Sequence, residues 1–287
     1  MNKVINFHVV KDPIWFEKVI MYLKSKHTIV TAKSIYDYYY NHVMLENACL
    51  ITVDDGHISS YRIIYPILKK HKVPAIFFVS PEIAKRERRT NFWFQEIENY
   101  DKEKLVKIAA EYLQEPYCKD VNYKSIFQRI TIDTIWEIIV KYQEQYQPMP
   151  EEPANMTLEQ IKYIDQEGLV EIGAHTLNHP FLSREKDSKA KFEIESSVSQ
   201  LEIILQHPVL TFAYPNGEPG LDFGEREKLI LKGTSVKLAF SLSAHDFSPS
   251  DDALSIPRYG ITCGSLSFIK FKFALGKYYP LVRKVLK

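Results

Sequence analysis

At 287 residues and 45% hydrophobic content, the chain can bury a sizeable core, either as one α/β barrel or as two smaller domains. A formal net charge of +1 provides no global field for nucleic acid, and three widely spaced cysteines, Cys49, Cys118 and Cys263, exclude a disulfide framework or a Cys-based zinc site and fit a reducing compartment. The opening stretch lacks the roughly 7–15-residue apolar core of a secretory signal. No apolar run approaches the roughly 18 residues that span a bilayer, so a cytoplasmic protein is expected.

In chain order, the pattern predicts a buried strand over residues 4–10 with His8 near its end, then a helix over 13–23 behind an Asp12-Pro13 start signal. A strand over 28–31 and an aromatic-rich helix over 34–40 lead to an apolar strand that stops abruptly at Asp54-Asp55-Gly56-His57. A helix over 59–71, with Tyr61, Ile64, Tyr65 and Leu68 on one face, and a continuous apolar strand over 74–80 keep the rhythm.

Residues from about 85 to 155 break it. This segment opens on Lys85-Arg86-Glu87-Arg88-Arg89, carries Trp93 and Trp136 in helical runs and ends in a proline-rich linker over 147–153. It reads as a helical insertion beside the active-site face, its aromatic residues either packing amphipathic helices or lining a sugar subsite. Beyond it come a helix capped by Thr157 and closed by Gly168, the strand running into His175, and a helix over 187–206. The remaining elements are a strand ending at Pro215-Asn216-Gly217, a helix over 224–232, a strand over 238–242 and a closing segment over 253–261. Seven or eight strands alternating with helices predict a parallel sheet closed or nearly closed as a barrel, with reactive residues at the carboxyl ends of strands. His8, Asp54, Asp55, His175 and Asn216 fall there. The barrel is placed over 1–262 and a basic, aromatic segment over 263–287. Residues 268–287 hold six basic and no acidic residues, and read as a final helix packed on the barrel or as a contact with an anionic membrane surface.

Two clusters carry chemistry. His175 and His179 can present both imidazoles on one side of a turn or a first helical turn and share one metal ion, or can be ordinary packing histidines. Adjacent carboxylates at a strand end diverge, so one of Asp54 and Asp55 can ligate a cation while the other faces a substrate; a plain Asp-Asp-Gly turn is the other reading. Together, Thr52-Val53-Asp54-Asp55-Gly56 and His175-Thr176-Leu177-Asn178-His179-Pro180 resemble the T-F-D-D-G and H-S/T-x-x-H-P motifs of the NodB-type polysaccharide deacetylases, carbohydrate esterase family 4. Val53 in place of Phe is the single departure, and the resemblance spans about residues 3–84 and 156–262.

That resemblance implies a distorted (β/α) barrel of seven or eight strands with a helical insertion, and a hydrolase removing acetyl groups from N-acetylated sugars by metal-activated water. It implies Asp55, His175 and His179 as metal ligands, with zinc first and cobalt, nickel or iron admitted by the ligand types. It makes Asp54 the general base, and the backbone N–H of Asn216 the oxyanion donor, in Ala213-Tyr214-Pro215-Asn216-Gly217 where the family has an R-P-P-Y-G-type loop. Ala213 replaces the arginine that orients the aspartate; Arg258 is the candidate substitute, because a planar guanidinium holds a carboxylate through two hydrogen bonds. No C-terminal L-x-H motif follows residue 245. Instead Asn6-Phe7-His8-Val9-Val10 resembles the Y-H-x-I/V opening of circularly permuted members, such as those acting on poly-N-acetylglucosamine, which makes His8 the general acid and His245 the competing donor. His57 matches no family motif and takes a supporting or loop role. The missing signal suggests a nucleotide- or lipid-linked precursor, handled in the cytoplasm and at the inner face of the membrane. The same constellation also admits another amide, an O-acetyl ester, or a non-catalytic glycan-binding homologue.

Overall fold

The computed structural model describes residues 1–261 and 264–278; Cys263 and the final stretch of the basic segment, 279–287, lie outside the described residues. Its centre is a parallel sheet in the order β7-β6-β5-β4-β3-β1-β8, with β2 beside β3. The strands are β1 (Lys3–Phe7), β2 (Thr28–Ile29), β3 (Ala48–Val53), β4 (Ala75–Val79), β5 (Val170–Ala174), β6 (Thr211–Ala213), β7 (Leu238–Phe240) and β8 (Tyr259–Gly260). Ile256 bridges to Phe240, and Tyr259 and Gly260 pair with Ile5 and Asn6, so the closing segment steps from the β7 edge to the β1 edge.

Strand parity divides the side chains between two faces. Ile5, Phe7, Ile51, Val53, Phe77 and Ile172 join the core that covers the surrounding helices. Val4, Leu50, Ile76, Phe78, Ala213, Leu238 and Phe240 form a second cluster with Ile256. The Phe78 and Phe240 rings stand 5.4 Å apart although two strands separate β4 from β7 in the sheet. Only a curled sheet allows this, so the second cluster fills the concave side. A Cβ on Gly173 would stand 2.6 Å from the Phe78 ring, and glycine at this position of β5 leaves room for that ring. Asn6, Thr52 and Asp54 continue the concave parity towards the carboxyl ends, which sets the height of the site.

The helices α1 (Pro13–Lys26), α2 (Ala32–Tyr40), α3 (Tyr65–His71) and α4 (Pro81–Lys85) follow the first four strands. The helix predicted over 59–71 is in two parts, a π turn over Ser60–Ile64 and then α3. Pro66 lacks an N–H and its ring crowds the carbonyl one turn back, which the wider turn relieves. The segment expected as an insertion carries α5 (Trp93–Glu96), α6 (Lys102–Leu113), α7 (Tyr123–Phe127) and α8 (Ile132–Tyr146). These helices bury Trp93, Leu105, Phe127, Ile135 and Ile139 in a core of their own, joined by Phe181. Then come α9 (Leu158–Gln166), entered through a Thr157–Gln160 capping box, α10 (Asp187–Leu205), α11 (Glu225–Lys232) and α12 (Leu266–Leu275). Among the described residues no helix is long and apolar enough to cross a membrane.

Candidate active site

Asp54 follows the last residue of β3, and its N–H donates to Phe7 O at 2.9 Å, which ties the ends of β1 and β3 together. Its Oδ1 accepts from Arg258 Nη1 at 2.8 Å; its Oδ2 accepts from Arg258 Nη2 and from Asn6 Nδ2, both at 2.9 Å. Arg258 is fully buried, donates Nε to Ser241 O at 3.0 Å and has its guanidinium 5.6 and 5.9 Å from the Phe78 and Phe240 rings. Burial works to raise the Asp54 pKa, but the Arg258 guanidinium outweighs it, with help from His175 and His8, and holds the carboxyl below its ordinary range. His8 follows β1 and brings Nε2 to 3.8 Å from Asp54 Oδ2, with 31% of its side chain exposed.

Asp55 turns away from Asp54 because its backbone is left-handed, with φ 70°, and Gly56 continues the turn at φ 65°. Asp55 Oδ1 therefore points at the histidine loop, 3.3 Å from His175 Nε2 and 3.7 Å from His179 Nε2. All three residues are buried, and Oδ1 has no hydrogen-bond partner among the described residues. Two ligands at about 2.1 Å from a tetrahedral ion stand about 3.4 Å apart, so the observed spacing suits one cation held between these atoms. The donor set, one carboxylate and two imidazoles, fits a divalent first-row metal. Burial opposes the Asp55 charge, yet the His175 contact and the His8 and His179 charges hold its pKa far below the usual carboxylate range. Burial likewise works against a protonated His175, but Asp55 and Asp54 raise it above the ordinary imidazole value. For His179 burial prevails and lowers the pKa to about 4.

The histidine pair sits on a turn, left-handed at Thr176 and His179. Thr176 Oγ1 accepts from His179 N at 3.1 Å, and Ser80 Oγ donates to Leu177 O. From α10, Glu193 Oε2 accepts from the Leu177 and Asn178 amides at 3.0 and 2.9 Å, while its Oε1 accepts from Asn178 Nδ2 at 2.8 Å. At β6, Ala213 O accepts from His175 Nδ1 at 2.7 Å, which leaves Nε2 facing Asp55. The next turn is held by Tyr214, stacked 3.6 Å from Phe223, and places Asn216 at φ 61° with its Nδ2 buried and unpartnered among the described residues.

His245 lies elsewhere. Its Nε2 is 3.0 Å from Asp251 Oδ1, and two residues on, Phe247 N donates to Asn2 O at the amino end of β1, opposite His8. His57 Nδ1 accepts from Ser59 N at 3.0 Å and steadies the turn after the aspartates. Asn6 and Glu193 were not singled out from the sequence. The available signals are a polar residue on the concave parity of β1, and a carboxylate beside the apolar stripe Ala190, Ile194, Val198 and Leu201 of α10.

A family model described as polysaccharide deacetylase matches residues 43–229. No curated protein matches the chain significantly by sequence. Among solved structures, IcaB from Ammonifex degensii aligns with a TM-score of 0.62 at 21% identity, covering 95% of this chain and 96% of that one. The Streptococcus pyogenes deacetylase PplD in complex with acetate aligns at 0.61 and 18% identity, covering 91% and 92%. A de-N-acetylase from Aggregatibacter actinomycetemcomitans aligns at 0.61 and 16% identity, covering 95% and 99%. At these identities the likeness is one of fold, a curled parallel sheet ringed by helices as in NodB-type distorted barrels.

Proposed function

The chain belongs to the polysaccharide deacetylase family, and from that premise we propose that it is a metal-dependent hydrolase removing acetyl groups from N-acetylated sugars. The observation that carries this reading is the buried Asp55–His175–His179 donor set beside an Asp54 whose charge is matched by Arg258. Asp55, His175 and His179 hold the ion, zinc in the first instance. When bound, it supplies Lewis acidity to the attacking water and the acyl oxygen. Asp54, kept ionised by Arg258, takes a proton from the water as its oxygen bonds to the carbonyl carbon. The Asn216 N–H stabilises the developing oxyanion. As the C–N bond breaks, His8 gives a proton to the leaving amine, and acetate and the amino sugar are released. Arg258 and Asn6 orient Asp54 throughout, and the guanidinium at 258 answers the missing arginine at 213, which supports catalysis over passive glycan binding.

The test is acetate release from N-acetylglucosamine oligomers and a nucleotide-linked N-acetyl sugar, with zinc- or cobalt-loaded protein and Asp54→Asn as control. Metal-dependent release that Asp54→Asn lowers by about 10²–10⁴-fold is expected. Release only from O-acetyl esters would move the reading to an esterase, and no release with metal bound stoichiometrically would overturn it.

A precursor substrate met at a membrane surface is the finer part of this proposal, and α12 is the feature that supports a membrane contact. This helix is apolar nearly all round, yet among its described residues Ile269 alone is fully buried, while Phe268 and Phe271 are 43% and 45% exposed. It lies along α1, where Trp15 Nε1 donates to Gly264 O at 2.7 Å and Lys270 Nζ stands 5.2 Å from the Tyr22 ring; exposed Ile14, Lys18 and Met21 line α1. Apolar side chains among lysines suit an anionic lipid surface. Co-sedimentation with phosphatidylglycerol vesicles, but not phosphatidylcholine vesicles, and its loss in Phe268→Ser/Phe271→Ser are expected; equal binding to both would sink the idea.

A further inference from the structure

The two histidines of the donor set are held by different means. His175 is oriented through its second ring nitrogen, by Ala213 O. His179 is not: its Nδ1 is buried and has no hydrogen-bond partner among the described residues. A metal-binding imidazole ordinarily has such a partner, so the His179 ring must be aimed in another way. It also sits on a left-handed backbone, φ 55°, which a residue with a Cβ adopts only when its surroundings hold it there.

Thr176 Oγ1 accepts from the His179 N–H within the turn, and the insertion supplies contacts to the ring and to the carbonyl. The Phe92 and Phe94 rings stand 5.5 and 5.0 Å from the His179 ring, at 61° and 68°, and are stacked on each other at 5.4 Å. Between them in sequence, Trp93 points into the helical core and donates Nε1 to His179 O at 3.1 Å. Just upstream, Arg89 lies 3.9 Å from the Trp136 ring and donates Nη1 to Asn178 Oδ1 at 3.3 Å. One short stretch of the insertion thus grips the ring, the carbonyl and the preceding residue of a single donor.

We infer that the helical insertion is a clamp for the metal site: Trp93 fixes the His179 backbone and the Phe92–Phe94 pair fixes its ring, so the insertion sets ion affinity and geometry without supplying a ligand. This rests on the metal reading proposed above. Trp93 and Phe94 are positioning residues.

The test measures zinc affinity by competition with a chromogenic chelator, and the visible spectrum on cobalt titration, for full-length Trp93→Phe and Phe94→Leu. Phe94→Tyr is the conservative rescue, and Ile135→Val, in the same helical core, controls for general loosening. Trp93→Phe and Phe94→Leu should each weaken binding by about tenfold or more and shift the cobalt bands, as loss of a supporting partner does elsewhere. Phe94→Tyr should retain both properties, and Ile135→Val should lower the melting temperature with binding unchanged. Unchanged affinity and spectrum in Trp93→Phe and Phe94→Leu, or equal weakening in Ile135→Val, would overturn the clamp while leaving the metal reading intact. A parent protein that binds neither ion would overturn both.

Discussion

Asp54 accepts hydrogen bonds from Arg258 and Asn6 on its two oxygens, whereas the Oδ1 of Asp55, one residue later, is buried against two imidazole nitrogens with no donor among the described residues. The two carboxylates share a strand end and differ because Asp55 is left-handed. The difference shows how one turn divides labour. A carboxylate whose charge is already matched stays ionised and aimed, which suits a base; a buried carboxylate facing imidazoles without a donor is suited to a cation.

The strongest way to break this comparison is to exchange the losses. His175→Ala or Asp55→Ala should abolish stoichiometric zinc or cobalt binding, measured by equilibrium dialysis and elemental analysis, and all acetate release with it. Asp54→Asn should keep the metal and lose about 10²–10⁴-fold in kcat. Metal retained in His175→Ala would remove the division altogether. On the proton-donor side, His8→Gln should lower kcat by about 10²–10⁴-fold. His245→Gln, paired with Asp251 at the other end of β1, should leave kcat within error; the reverse ranking would reassign the acid.

Arg258→Met sharpens the Asp54 half. Removing one partner of a fully buried pair should cost about 3–5 kcal/mol in urea unfolding at neutral pH. The native Asp54 pKa lies below that of the unfolded chain, so the pair stabilises the fold above the unfolded carboxylate value, and that contribution is lost as pH falls through the native value. Without the guanidinium, burial acts with less opposition, the Asp54 pKa rises, and the acid limb of kcat/KM moves to higher pH. Asn6→Ala removes one hydrogen bond to the same charge, which should cost about 1.5–3 kcal/mol and move the acid limb the same way by less. An acid limb that stays put in both variants would mean that another group sets it.

Much of this site is local and therefore readable. The period-two alternation that puts Thr52 and Asp54 on one face, the abrupt end of an apolar run at Asp-Asp-Gly, and two histidines four apart are patterns among neighbours in the chain. Their resemblance to a family's motifs rests on the same short stretches. Glu193 left a weaker mark, a single acid beside an apolar helix stripe, which a surface residue with a slightly shifted register would also leave.

What the chain alone determined is the kind of element at each position and the chemistry carried at strand ends. Tertiary structure decided which distant groups meet there. Arg258 reaches Asp54 across 204 residues only because the sheet curls until the closing segment lies beside β1. His8 and His245 are both histidines near a polar turn, and strand direction alone separates them, with His8 at the carboxyl end of β1 and His245 near its amino end. Trp93 and Phe94 read as amphipathic packing because helical periodicity records which side of a helix is apolar but not what that side will touch. Contacts of that kind are set by sheet curvature and by how an insertion docks, and these arise from the summed packing of the whole molecule rather than from any short run of residues.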